Sequence, residues 1–239
     1  MRAFALQFRF KATLTAVLQF IFPSFCSHCD EKNNRTGLLL CKECVSLIEW
    51  LDPISCCSIC SCHLEDKKGI ICLSCRGNPR YLQPHRSLFL AGPPILSLFN
   101  DFKKTKHPEV IKTLTSLLVI GLNKFSWSSV EMIVPFPESR LKTLLFRNQE
   151  SFILARALAK MLHIPFCPIL TPIYDGTEYK IRINEKEKKK HSLVDKKVLL
   201  LIGCIESGRE LQDCRSELRS FFPKSIHSMA FLDDRNNND

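Results

Sequence analysis

The chain is poor in glycine, with only 8 among 239 residues, and its 24% charged residues are spread through an otherwise ordinary composition. That excludes a collagen-like or low-complexity chain. No run reaches the ~20 consecutive apolar residues of a membrane span. The one apolar stretch near the N-terminus, Ala12 to Phe22, follows Arg2, Arg9 and Lys11 as a secretory signal would. It lacks a small-x-small cleavage site, is interrupted by Thr13, Thr15 and Gln19, and stops at Pro23. Its apolar positions Leu6, Phe10, Leu14, Val17, Leu18 and Ile21 recur at helical spacing, so residues 1–23 read as an amphipathic helix and the protein as cytoplasmic. The 13 cysteines are about 5% of the chain, short of a disulfide scaffold.

Those cysteines are not evenly spread. Ten of the thirteen fall between Cys26 and Cys75. Cys26-x2-Cys29 is followed after eleven residues by Cys41-x2-Cys44, and Cys57-x2-Cys60 after eleven residues by Cys72-x2-Cys75. The two quartets superimpose with a shift of 31 residues at all four positions. A two-residue gap lets both thiolates of a knuckle face one cation, and the eleven-residue loop can fold back to deliver the second pair. The expectation is a double zinc ribbon over 24–80 with two structural ions, either in sequential quartets or with knuckles interleaved. A disulfide framework would need an oxidising compartment. Cys56, Cys62, His28 and His63 lie close by as spare groups, the histidines read as solvent-facing. Eight thiolates on two divalent ions would lower the formal charge from +10 to about +6.

From residue 86 the texture changes. Helices are expected over 94–102, 108–125, 149–162 and 210–222, and strands over 132–134, 198–202 and 226–232. The uninterrupted apolar run Val198 to Ile202 suits the centre of a parallel sheet covered on both faces. Alternating strands and helices predict an α/β doubly wound sheet over 86–232, followed by a disordered tail, 233–239. In such sheets the ligand crevice lies beyond the C-terminal strand ends, here the segment Gly203 to Arg209.

At this point the chain resembles the ComF family of competence proteins. The resemblance runs through Phe20-Ile21-Phe22-Pro23, the eight cysteines, Gly92-Pro93, Val134-Pro135-Phe136-Pro137, Asn148-Gln149, Ala155 to Ala159 and Val198 to Leu201. It implies a double zinc ribbon joined to a type I phosphoribosyltransferase-like domain. It also implies a loop with two Asp after the strand and a Thr-Thr-Gly-x-Thr phosphate cradle. This chain departs there. The Asp positions are Ile202 and Gly203, neither of which can bond ribose hydroxyls, and Glu206 and Glu210 replace threonines. A carboxylate facing a phosphate at ~4 Å costs on the order of 4 kcal/mol at an effective dielectric of 20. Glu206, Ser207, Gly208 and Arg209 are therefore a remnant of the phosphate loop, and phosphoribosyl diphosphate is not an expected ligand. Arg-Gly-Phe before Asn-Gln is likewise altered, to Leu145-Phe146-Arg147.

Half the formal charge lies in one segment. Residues 180–197 hold eight Lys/Arg against Glu185, Glu187 and Asp195. In the resembled family this stretch is a flexible loop over the active site. Lys186, Lys188, Lys189 and Lys190 are the candidates for a nucleic-acid backbone, against the plainer reading of a solvated loop. The resulting expectation is a non-catalytic ComF-like protein that assists handling of single-stranded DNA in natural transformation, with competence or helicase machinery as partner. An active phosphoribosyltransferase with an unusual loop and a zinc-stabilised protein–protein adaptor are the alternatives. Oligomeric state is not readable from the sequence.

Overall fold

The computed structural model describes residues 24–33, 39–62, 64, 70–76, 85–138, 149–174, 179–205 and 209–235. The helix expected over 1–23 lies outside them, as does the tail from 236. The chain divides into two compact units, Met1–Ile48 with Pro93–Val110, and Glu49–Gly92 with Ile111–Asp239.

The first unit carries β1 (Ser24–Phe25) and β2 (Lys32–Asn33), paired antiparallel, then α1 (Lys42–Ser46) and, after the chain returns, α3 (Ile95–Thr105). Two prolines precede α3, whose stripe Leu98, Phe99 and Phe102 is fully buried. The helix runs one turn beyond the expected end, to Lys106 in the left-handed region.

The second unit is built on a four-stranded, all-parallel sheet in the order β3-β8-β7-β4. Its strands are β3 (His85–Leu90), β4 (Met132–Pro135), β7 (Lys197–Ile205) and β8 (Ser225–Asp233). β7 is central and buried from Val198 to Gly203, as an apolar run covered on both faces requires. α5 (Glu150–Leu162) packs on β4 and β7 through Leu154, Ala155, Leu158 and Ala159. α7 (Arg209–Arg219) packs on β8 and on the strand Tyr179–Ile183. The long α4 (Pro108–Lys124) passes Leu88 of β3 at Gly121, where any Cβ would stand 2.3 Å from a Leu88 methyl. Around β3, Phe89 stacks between Trp50 (4.5 Å) and Phe231 (5.3 Å).

Three elements differ from the sequence expectation. β3 was not anticipated, because His85, Arg86 and Ser87 break any apolar alternation. β7 runs three residues past Ile202, so Gly203-Cys204-Ile205 is strand rather than loop, with Cys204 opposite Leu232 and Ile205 opposite Asp233. The basic segment is a hairpin strand and a helix: β5 (Leu170–Tyr174) pairs with β6 (Tyr179–Ile183), and α6 (Glu185–Lys190) follows. Asn184 starts that helix by accepting the N–H groups of Lys186 and Glu187, with acids in its first turn and lysines in its last. The tail also begins later than expected, since Asp233 closes β8 and is buried.

Candidate functional site

The cysteine repeat is a repeat of structure. In the first copy the Cys26 N–H donates to the Glu31 carbonyl (2.9 Å) and the Asp30 N–H to the Cys26 carbonyl (3.0 Å). In the second, 31 residues on, the Cys57 N–H donates to the Cys62 carbonyl (2.9 Å) and the Ser61 N–H to the Cys57 carbonyl (2.9 Å). Asp30 and Ser61 both take a left-handed backbone (φ 57° and 60°) to close the knuckle turn. The returning chain is tied alike: the Cys41 N–H reaches Cys26 Sγ at 3.3 Å, and the Cys72 N–H reaches Cys57 Sγ at 3.4 Å. A short helix then presents the last cysteine, α1 in one copy and α2 (Leu73–Arg76) in the other.

These turns gather thiols. The sulfurs of Cys26, Cys29, Cys41 and Cys44 lie within 4.8 Å of one another, and so do those of Cys57, Cys60, Cys62 and Cys72. Cys29 and Cys41 are 3.7 Å apart, as are Cys60 and Cys72. Four sulfurs at ~2.3 Å around a tetrahedral cation stand about 3.8 Å apart, so both clusters fit a four-sulfur metal site. Each sulfur group draws its members from one copy of the repeat. Burial raises the Cys26 thiol, but the N–H groups of Cys29, Cys41 and His28 outweigh it and bring it to about 6. Hydrogen bonding from Cys62 draws Cys60 to about 4. Each cluster thus favours a thiolate, the form that binds metal. His28 donates to or accepts from Ser97 (3.0 Å) and belongs to neither sulfur group. Cys75, expected as a ligand, is buried and packs against Cys57, Cys60 and Cys72, while Cys62 takes a place within the sulfur group.

The second cluster is fastened to the sheet through buried polar groups. The Arg235 guanidinium donates to the Cys60 carbonyl (2.6 Å) and to Asp233 Oδ1 (2.8 Å). The Ser87 hydroxyl donates to Asp233 Oδ2 (2.9 Å), and the His85 N–H donates to the Ile59 carbonyl (2.8 Å). None of Arg235, Asp233 and Ser87 was singled out in the sequence. An acid at a strand end followed by Arg two residues later was the available signal.

At the C-terminal edge of the sheet, where the phosphate loop was expected, the geometry is closed. Ile202 is buried at 1% exposure. The Gly203 N–H donates to Ser151 Oγ (2.9 Å), and a Cβ on Gly203 would stand 2.8 Å from Glu150 Cβ. Glu206, Ser207 and Gly208 lie outside the described residues; Arg209 and Glu210 open α7. Glu138 accepts the Ser151 N–H (2.6 Å). Burial, then the neighbouring Glu150, pushes its carboxyl up to about 7. A cavity of about 350 Å³ opens here between the end of β4, the start of α5 and the base of the β5–β6 hairpin. Among the described residues, its charged lining groups are the carboxylates Glu138 and Glu187.

The candidate lysines share α6. Lys188 pairs with Glu185 (3.6 Å) and Lys190 with Glu187 (2.7 Å), whereas Lys186 and Lys189 stay exposed. Lys188 also sits over the Phe221 ring, 5.6 Å from its centre. No helix among the described residues is long and apolar enough to cross a membrane.

No family model and no curated protein matches the chain. Among solved structures it is similar to a purine phosphoribosyltransferase from Pyrococcus horikoshii (16% identity, 50% of this chain and 70% of that one, TM-score 0.37). It is also similar to adenine phosphoribosyltransferase from Saccharomyces cerevisiae (14%, 54% and 70%, 0.38). A third is a Neisseria gonorrhoeae hypothetical protein with bound ppGpp (15%, 53% and 68%, 0.39). The α/β class rests on the parallel sheet itself.

Proposed function

We propose that this chain is a ComF-like protein that carries two structural zinc ions, binds single-stranded DNA during its uptake, and does not transfer phosphoribosyl groups. The observation that carries the non-catalytic part is the packing of Gly203 on Glu150. The place where the resembled family holds a ribose-binding acid has no room for a side chain. The neighbouring position is the buried Ile202, and the adjacent cavity offers carboxylates where a diphosphate needs cations. The two thiol groups would hold zinc as closed four-sulfur sites, which supply cross-links and no open coordination position.

For DNA the support is the α6 lysines, of which Lys186 and Lys189 are exposed and unpaired among the described residues. Counterion release gives the test. Each lysine meeting a phosphate of a single strand contributes about −0.7 to the slope of log affinity against log salt. Zinc-loaded protein should bind single-stranded oligonucleotides with a steep slope. Changing Lys186, Lys188, Lys189 and Lys190 to Gln should flatten it by about 1–3. Salt-independent binding, or an unchanged slope, would refute the reading. Pyrophosphate release from phosphoribosyl diphosphate would instead establish an active transferase.

The adaptor reading is second, and one observation favours it. Ile54, Ile70 and Leu73 are 76–89% exposed around the second thiol group, an apolar set that suits a protein partner. A partner bound there would show no steep salt slope.

A further inference from the structure

The register that equates the two cysteine quartets also equates Glu31 with Cys62. Each lies two residues beyond its knuckle's second cysteine, and each accepts the N–H of the first cysteine through its main-chain carbonyl at 2.9 Å. The turn is the same and the side chain is not. In the first copy the position is an exposed acid whose carboxylate lies within 4.8 Å of Cys41 Sγ. In the second it is a thiol, and that thiol completes the sulfur group with Cys57, Cys60 and Cys72.

Cys75, the register partner of Cys44, is not lost from the second copy. It is 6% exposed and packs in one cluster with Cys57, Cys60, Cys62 and Cys72. Cys62 has its sulfur within 4.8 Å of those of Cys57, Cys60 and Cys72. A fifth thiol therefore packs against a four-sulfur group that accommodates one tetrahedral ion. The first copy has its four cysteines and no fifth thiol among the described residues.

We propose that Cys62 is a metal ligand of the second cluster, and that Cys62 and Cys75 are alternative holders of one coordination position. This rests on the zinc reading above. A tetrahedral ion accepts four thiolates, and a fifth beside it can enter as another leaves, so the ion is never left three-coordinate. The ligands are exchanged without any change of oxidation state; the departing thiolate takes up a proton as the arriving thiol releases one. Exchange makes the second site kinetically open to competing thiols and chelators, while the first stays closed. Cys60, Cys62 and Cys72 are each half-buried, so an incoming ligand can reach them.

The full zinc-loaded chain tests this in two ways. Brief alkylation followed by peptide mass mapping should find Cys62 and Cys75 each labelled in part and never both on one chain, with Cys57, Cys60 and Cys72 protected, and all five labelled once the zinc is chelated. Zinc content per chain should be two for wild type, for Cys62→Ser and for Cys75→Ser, but one for the double variant. A chromogenic chelator should remove one zinc at least about tenfold faster than the other from wild type, with Cys62→Ser slowing that fast phase. Rapid labelling of Cys62 in loaded wild-type protein, with Cys57, Cys60, Cys72 and Cys75 protected, would overturn the proposal, even if the variants do not fold. So would a single zinc in Cys75→Ser beside two in Cys62→Ser, which would leave the four-sulfur reading standing. Wild type that binds no zinc at all would remove both.

Discussion

Gly203 and Glu150 meet across β7 and the first turn of α5 so closely that a Cβ at residue 203 would stand 2.8 Å from Glu150 Cβ. The strand–helix contact at the head of the sheet depends on this missing side chain. The Gly203 N–H on Ser151 Oγ and the Ser151 N–H on Glu138 draw the same three segments together. Among the described residues, backbone and side chains here satisfy one another.

The first prediction concerns that contact. Gly203→Ala should cost about 1–3 kcal/mol, the range for overpacking a tight interior. Gly203→Asp should cost more, because it adds a third carboxylate beside Glu138 and Glu150, and it should not produce pyrophosphate release. Urea midpoints of the two variants measure the cost. Full stability of Gly203→Asp together with gain of transferase activity would show the crevice to be open.

A second prediction follows from the polar tie between the sheet and the second thiol group. Asp233 is 4% exposed and takes its positive partner from Arg235. Arg235→Ala leaves that carboxylate buried without a cation, a change that costs about 3–5 kcal/mol. It also frees the Cys60 carbonyl, so hydrogen exchange should accelerate in β3 and in the second knuckle more than in β4. A midpoint unchanged from wild type would mean the pair contributes nothing.

Much of this was legible in the sequence, for identifiable reasons. A metal knuckle needs ligands at fixed spacing, so the 31-residue shift predicted a structural repeat, and the folded turns extend it to matching hydrogen bonds. Val198 to Ile202 announced a central parallel strand because only such strands are apolar on both faces. Other parts were hidden by residues whose local meaning is ambiguous. Gly203 and Cys204 read as a turn, yet glycine in a strand also marks close approach of another backbone, which is what α5 makes. Three consecutive lysines read as solvated loop, although Asn184 ahead of them is a helix-starting residue. His85, Arg86 and Ser87 concealed an edge strand, since Asp233, which accepts the Ser87 hydroxyl, lies 146 residues away. Spacing alone favoured Cys75 over Cys62, and only the folded turn shows that a thiol two residues past the knuckle points back at the same sulfurs.

The last prediction is a pH dependence centred on Glu138. Its carboxyl is raised to about 7, first by burial and then by Glu150, from an ordinary value of 4.5. Between those two pH values the folded chain keeps a proton that the unfolded chain has released. The associated stability is thus complete below about 4.5 and is lost as pH rises through 7. The interval corresponds to about 3 kcal/mol at most, at 1.36 kcal/mol per unit. Glu138→Gln keeps an oxygen to accept the Ser151 N–H and has no proton to lose. It should match wild type near pH 4.5 and exceed it by as much as ~3 kcal/mol at pH 8. Urea unfolding of both proteins at these two pH values decides the matter, and an equal loss of stability in the Gln variant would assign the pH dependence to another group.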